Sequence, residues 1–185
     1  VAGLQNYLWD VRLWLDQIGI ESPSSDPAIR EAWEKERARE LAGPIVSMIR
    51  ELFDRYERQA QPVPPALVPV YQLYAQRQVR RLLLDAPFVF RTFRKPLGYA
   101  GDYQMVDMMF RDPCEGGSLF AKILNMYSLS LPPIVAHRNR IDFLVEQLQI
   151  ECLRCRSSGR RARILNIGCG PAHDVQSFMA RSLAS

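Results

Sequence analysis

The chain has 185 residues, of which 48% are hydrophobic and 24% are charged, and its formal net charge is +4. This length supports one domain, or one domain with part of another, and the composition is that of a globular protein. The mild basic excess argues against a dedicated nucleic-acid binder, and no apolar run approaches the roughly 18 residues of a membrane span. We therefore expect neither a nucleic acid nor a membrane as partner.

The cysteine pattern argues against both disulfides and a metal site. Cys152 and Cys155 have the spacing of a metal-binding or redox pair, but no second pair completes a set of four ligands. Cys114 and Cys169 are isolated in sequence. With no recognisable secretory signal, we predict reduced thiols, no metal and a cytoplasmic location.

The N-terminal half is predicted to be helical. Asp26 should cap the second helix, with Pro27 in its first turn and with Ile29, Trp33 and Leu41 facing inward. In the first helix, apolar residues recur at three- and four-residue steps and so share one face: Leu4, Leu8, Val11, Leu15 and Ile18.

Glycine and proline punctuate the rest of the chain. Gly43-Pro44 is expected to interrupt or kink the second helix, and the proline-rich residues 59–69 form a candidate connector. Further helices are predicted at 66–84, 103–111, 117–128 and 134–152. We accordingly divide the chain into an N-terminal helical region (1–61), a helical cap or substrate region (62–161) and the start of a cofactor-binding domain (162–185).

The stretch ARILNIGCGPAHDVQSFMA, residues 162–180, predicts a buried strand at 163–167, a glycine turn, and a helix beginning near His173. Gly168 permits a tight turn and Gly170 permits close approach of the backbone to a ligand. The N-terminus of the helix would point at that ligand. A plain connecting turn without a ligand is the alternative.

The same turn disfavours a pyrophosphate ligand. His173 stands where the dinucleotide fingerprint has its third glycine, and Pro171 removes one backbone N–H donor. Both features are compatible with a cofactor that has no phosphate.

The segment ILNIGCGPA resembles the first motif of class I S-adenosylmethionine-dependent methyltransferases. The resemblance implies that S-adenosyl-L-methionine is the cofactor and that its methionine and ribose part lies against the glycine turn. Two positions depart from the family pattern. An acidic residue is frequent where Asn166 stands, and a third glycine where Ala172 stands. An amide can still accept a hydrogen bond from the methionine ammonium, without the charge. The implied cofactor-binding residues are Asn166, Gly168, Cys169, Gly170 and Ala172.

The segments RKPLGYAGDYQMVDMMF and AHRNRIDFLVEQL, followed by ILNIGCGPAHD, resemble a bacterial methyltransferase subgroup. Its members include enzymes of 3-hydroxypalmitic acid methyl ester biosynthesis, which make a quorum-sensing ester. The resemblance spans about residues 85–180 and implies an acyl substrate. The expected fold is mainly α in this chain, with helices that lead into the first strand-turn-helix of a truncated Rossmann-like α/β fold.

Two groups of residues are candidates for contact with substrate and cofactor. In GYAGDY, the residues Tyr99, Asp102 and Tyr103 could form a catalytic lid whose rings face the sulfonium charge. A simple turn in which Asp102 caps a helix is the alternative. Lys95, Arg138 and Arg140 are candidates to hold a substrate carboxylate, although arginines at such positions usually form a solvated face. His137 is a weak candidate base.

An open α/β sheet needs several strand-helix units, and only one is predicted here. We therefore expect the N-terminal portion of a longer enzyme, inactive by itself. The alternative is a non-catalytic helical module that binds a protein or forms a homodimer through its N-terminal helices.

Overall fold

The computed structural model describes residues 1–98 and 102–183, and within these residues all regular secondary structure is helical. This confirms the expectation of a mainly α chain. Eight helices are formed by the described residues: α1 (Ala2–Ile20), α2 (Pro27–Ala60), α3 (Val68–Leu83), α4 (Pro87–Arg94), α5 (Tyr103–Met108), α6 (Leu119–Leu129), α7 (Pro132–Ser157) and α8 (His173–Leu183).

The chain divides into two compact units. The first comprises Val1–Pro96 and Asp112–Leu129, and the second comprises Leu97–Arg111 and Ser130–Ser185. The predicted boundaries at 61/62 and 161/162 stay predictions.

The first unit is built around α6, which is buried at almost every residue. Helices α1, α2 and α4 pack against it. Three polar side chains on α6 are buried and hydrogen-bonded, namely Lys122, Asn125 and Ser128, whose hydroxyl donates to the Leu124 carbonyl. Lys122 Nζ donates to Glu34 and to the Gly116 carbonyl, at 2.9 and 2.6 Å. Asn125 accepts from the Phe88 amide and donates to the Pro113 carbonyl, both at 2.9 Å.

The helix signals of the first unit are largely confirmed. Leu4, Leu8, Val11 and Leu15 form the buried face of α1. Asp26 caps α2, because its Oδ1 accepts from the backbone N–H groups of Ala28 and Ile29 at 2.9 and 3.2 Å.

One prediction for α2 is wrong and another is wrong in part, since the helix is not interrupted at Gly43-Pro44 while a kink there stays a prediction. Ile29 is 54% exposed, and the buried face instead consists of Glu34, Ala38, Ala42, Ile45 and Ile49. The ion pair of Glu34 with Lys122 lets a charged residue occupy this face. Gly43-Pro44 does not interrupt the helix, because packing on both sides of Pro44 outweighs one missing backbone hydrogen bond.

The strand predicted at 163–167 is not formed within the described residues. Residues 161–170 are all exposed, and Leu165 and Ile167 are each 84% exposed. A strand requires a neighbouring strand to pair its N–H and C=O groups, and the described residues offer none. The apolar pattern is therefore present without the sheet that would bury it.

Among the described residues, no single helix is long and apolar enough to cross a membrane, and α6 and α7 meet the criteria of length and composition only when taken together as a bent pair.

Candidate functional site

The candidate site lies in the second unit, where the glycine turn leads into α8. Gly168 and Gly170 have φ values of 67° and 52°, in the left-handed region that favours glycine. The Ala172 amide donates to the Cys169 carbonyl at 2.8 Å and closes the turn. Gln176 reaches back from α8, and its Nε2 donates to the Pro171 carbonyl at 2.7 Å. The predicted turn and the predicted helix start at His173 are both confirmed.

The turn is open on its outer side. Among the described residues, a Cβ added at Gly168 would meet no atom within 4 Å, and at Gly170 it would meet only Tyr103 Cβ, at 3.9 Å. Glycine is therefore required at 168 for its backbone conformation rather than to avoid a neighbour. The exposed backbone allows a ligand to approach it closely, which is the geometry that a nucleoside-type cofactor requires.

Ala172 adopts a conformation that usually belongs to glycine. Its φ is 55°, and a left-handed residue with a Cβ costs about 1–2 kcal/mol. This is the position at which the methyltransferase motif has a third glycine. Glycine would adopt this conformation without that penalty.

Asn166 is paired with a carboxylate that sequence reasoning did not consider. Its Nδ2 donates to Oδ2 of Asp174, in the first turn of α8, at 2.9 Å. The amide carbonyl of Asn166 is left to accept a hydrogen bond, and a negative charge lies beside it. The carboxylate beside Asn166 therefore comes from the helix that follows the turn.

Helix α5 places the end of the GYAGDY segment, the second sequence motif, beside the glycine turn. Asp102 is its N-cap, because Oδ1 accepts from the Gln104 amide at 2.9 Å, and its side chain is buried. The capping interpretation of Asp102 is confirmed. Tyr103, in the first turn, lies beside Gly170, whereas Tyr99 lies outside the described residues.

A cluster of rings lies at the base of α8 and was missed by sequence reasoning. The His173 ring is 4.3 Å from the Phe110 ring, and its Nε2 is 3.4 Å from Oδ1 of Asp107, within reach of an ion pair. The His137 ring meets the Phe110 ring edge to face, with the two ring centroids 6.3 Å apart. Asp107 lies in α5 and Phe110 just after its end, at a three-residue spacing, which is the signal that could have indicated their common direction.

The candidate base His137 is not suited to accept a proton at neutral pH. Burial lowers its pKa, and the charges of Arg140 and His173 lower it further. A guanidinium nitrogen of Arg140 is 3.2 Å from His137 Nδ1. His137 therefore stays neutral and serves as a packing and hydrogen-bonding group.

The predicted substrate-binding cations belong to two different units. Arg138 and Arg140 are on α7 in the second unit, and Arg140 contacts His137. Lys95 belongs to the first unit and ends α4 with φ 46°. Within the described residues no group of His, Cys, Asp or Glu could hold a metal ion, so Cys152 and Cys155 have no further ligands nearby.

No protein-family model, no curated protein and no solved structure matches the chain.

Proposed function

We propose that the chain is the N-terminal portion of an S-adenosylmethionine-dependent methyltransferase, in which Gly168, Cys169 and Gly170 form the floor of the cofactor site. The observation that carries this proposal is the turn itself. Two left-handed glycines follow an apolar segment and lead directly into α8, with their backbone open to a ligand. The apolar side chains of Ile164, Leu165 and Ile167 are exposed, as expected of a strand whose partner strands belong elsewhere in the protein.

The residues around the turn suit a cationic ligand without phosphate. Asn166 and Asp174 together offer an amide carbonyl and a carboxylate, which are the acceptors that a methionine ammonium requires. Pro171 removes a donor that a pyrophosphate would need. Tyr103 lies beside Gly170, and an aromatic ring near a sulfonium charge is favourable.

The fatty-acid-type carboxylate implied by the resemblance needs no general base. S-adenosylmethionine supplies a methyl group on a positively charged sulfur, and a carboxylate is already ionised near neutral pH. The task of the protein is then to position the acceptor and to exclude water. Arg138 and Arg140, and separately Lys95, are the candidate contacts of a carboxylate, and Tyr99 and Tyr103 are the proposed cover of the cofactor.

Ultraviolet cross-linking tests the cofactor site directly. Labelled S-adenosylmethionine at saturating concentration is expected to label the tryptic peptide 164–181, which contains the whole turn. Gly170→Val should abolish labelling, because valine is strained at φ 52° and its side chain would extend toward Tyr103. Gly159→Val is the matched control, since Gly159 has φ 67° outside the turn. Labelling confined to peptides that contain neither the turn nor Tyr103, or unchanged labelling of Gly170→Val, contradicts the proposal.

The chain alone is expected to bind the cofactor weakly. The turn provides one side of a site, and the exposed apolar segment before it has no described partner strand. Calorimetric titration should therefore show no binding in the micromolar range, and the chain should not transfer methyl groups. Micromolar affinity would show that no further strands are required.

A helical interaction module is the second candidate, and the outer surface of α1 favours it. Trp9, Leu13 and Trp14 are 42%, 59% and 46% exposed and lie close together on this helix. Large apolar side chains in such a group are typical of a protein-binding surface. Light scattering tests the interaction module. A dimer that Leu13→Gln dissociates would favour this function, provided that the cofactor also fails to cross-link at the glycine turn.

A further inference from the structure

The segment from residue 61 to residue 96 has an unusual charge distribution. It contains six basic residues and one acidic residue, Asp85. Asp85 already forms an ion pair with Arg12, because its Oδ2 is 2.9 Å from a guanidinium nitrogen of that residue. Five of the cations pair with no carboxylate in the part of the chain that the structure describes: Arg77, Arg80, Arg81, Arg94 and Lys95.

Other cations of the first unit behave differently. Lys35 and Arg39 both reach Asp112, at 3.2 and 3.1 Å, and Lys122 is held by Glu31 and Glu34. Paired charges of this kind stabilise the fold or are neutral to it. The unpaired cations of α3 and α4 therefore create a region of positive potential that the fold itself does not use.

The same two helices expose large apolar side chains. On α3 the exposed residues Val70, Tyr71, Leu73 and Tyr74 follow a spacing of three and four residues and so form a stripe. On α4 Phe90 and Phe93 are 47% and 51% exposed. Together with the five cations, these side chains define the α3–α4 surface.

Rings and cations are interleaved on the α3–α4 surface. The guanidinium of Arg80 lies 5.1 Å from the Phe93 ring, and that of Arg94 lies 5.6 Å from the Phe90 ring. A groove of about 310 Å³ runs between the two helices, lined largely by apolar side chains with Arg80 among them. Its apolar residues include Val79, Leu83, Leu84, Val89 and Phe93.

Contrary to the expectation from the sequence that no membrane is a partner, we propose that the α3–α4 surface binds the surface of an anionic lipid bilayer. Lipid headgroups supply the negative charge that the five cations lack, and the interfacial region accepts aromatic and aliphatic side chains at the same depth. A nucleic acid fits less well, because Val70 and Leu73 cannot stack on bases and the groove offers few hydrogen-bonding groups to read them. This inference goes beyond the proposed methyl transfer and does not depend on it.

Sedimentation with vesicles tests the proposal. The chain is mixed with vesicles of phosphatidylcholine alone, or of equal parts of phosphatidylcholine and phosphatidylglycerol, at low and high salt. Binding is expected only to the mixed vesicles and should weaken steeply with salt. Equal binding to both vesicles, or no binding to either, would overturn the proposal. Tighter binding to a single-stranded oligonucleotide than to the mixed vesicles would also overturn it and would favour a nucleic-acid partner.

Two double variants with the same change of net charge distinguish binding by the α3–α4 surface from general attraction to the charge of the protein. Arg77→Gln with Arg81→Gln removes two exposed cations and should weaken vesicle binding about 30-fold, at roughly a factor of five for each basic residue. Arg55→Gln with Arg58→Gln makes the same change of charge on α2 and should leave binding within about twofold. Equal losses in the two pairs would show non-specific attraction and overturn the assignment.

A second pair tests the apolar part. Val70→Gln with Leu73→Gln should weaken binding at high salt more than at low salt, because apolar insertion is not screened. Ile20→Gln with Ile29→Gln changes exposed residues outside the α3–α4 surface and should have no effect. Far-UV circular dichroism confirms that each variant is folded. Unchanged binding of the folded Val70/Leu73 variant would overturn the role of the stripe.

Discussion

The backbone of Gly170 lies beside Tyr103, so that a Cβ added to the glycine would be 3.9 Å from the tyrosine Cβ. This contact joins the two sequence motifs within one compact unit, although 66 positions separate them along the chain. The glycine turn contributes an open backbone, and α5 contributes an aromatic residue next to it. The Asn166–Asp174 pair adds a carboxylate on α8. These elements are the basis of the predictions about the turn.

The strained residue at the end of the turn yields the first prediction. Ala172→Gly should stabilise α8 locally by about 0.5–1 kcal/mol, because glycine adopts φ 55° without the penalty of a Cβ. Hydrogen exchange of the α8 amides measures this. The control Ala180→Gly lies inside the same helix and should destabilise it by about 1 kcal/mol. If both variants change the local stability of α8 in the same direction, the conformation of Ala172 is not strained.

The second prediction concerns the exposed apolar segment at residues 163–167. Leu165→Ser with Ile167→Ser should change the free energy of unfolding by less than about 0.5 kcal/mol, since both side chains are exposed. Leu124→Ala in the core of the first unit should cost about 3 kcal/mol in the same urea titration. If the serine variant loses as much as the core variant, the segment is packed and the idea of missing partner strands is wrong.

The buried lysine of α6 yields the third. Lys122→Met should destabilise the first unit by about 3 kcal/mol, because it removes the cation that pairs with the buried Glu34. Adding Glu34→Leu should recover most of the loss, since no buried carboxylate then remains. Lys35→Met, a more exposed cation of the same unit, should cost no more than about 1 kcal/mol. Chemical denaturation followed by circular dichroism gives the free energy of unfolding of all three variants. If the double variant is as destabilised as Lys122→Met alone, the unpaired Glu34 carboxylate is not the cause of the loss.

Acid stability yields the fourth. Burial raises the pKa of Glu34, but the hydrogen bonds and charges of Lys122 and Arg30 lower it more, so the folded pKa lies below the ordinary 4.5. A carboxylate with a depressed folded pKa stabilises the fold above pH 4.5, and that contribution is lost as the pH falls through the folded pKa. Glu34→Gln should therefore reduce the acid dependence of unfolding, whereas Glu36→Gln, exposed on the same helix, should keep it. If unfolding depends on acid pH equally in both variants, the ionisation of Glu34 is not the cause of the acid dependence.

Local signals predicted the helices well. The repeat from Leu4 to Leu15 and the cap at Asp26 act within one or two turns, and the structure contains both. The glycine turn was equally readable, because positive φ at Gly168 and Gly170 is a property of the residues themselves. Ile29 was misplaced because the inward face of α2 depends on Lys122, far along the chain.

The remaining features depend on contacts that periodicity does not encode. Residues 163–167 have strand composition, but a strand forms only where a partner is present. Pro44 is tolerated because packing on the rest of α2 outweighs one lost hydrogen bond. The hydrogen bond of Asn166 with Asp174 and the approach of His173 to Asp107 each join polar groups from different parts of the second unit, which helical periodicity does not relate.

Titration of the isotope-labelled chain with S-adenosylhomocysteine, followed by amide NMR, tests the central claim most directly. The account predicts weak, saturable shifts confined to the amides of residues 166–174 and of Tyr103, and their loss in Gly170→Val but not in Gly159→Val. Absence of shifts at these amides up to the solubility limit, or a saturable site elsewhere in the chain, would contradict it.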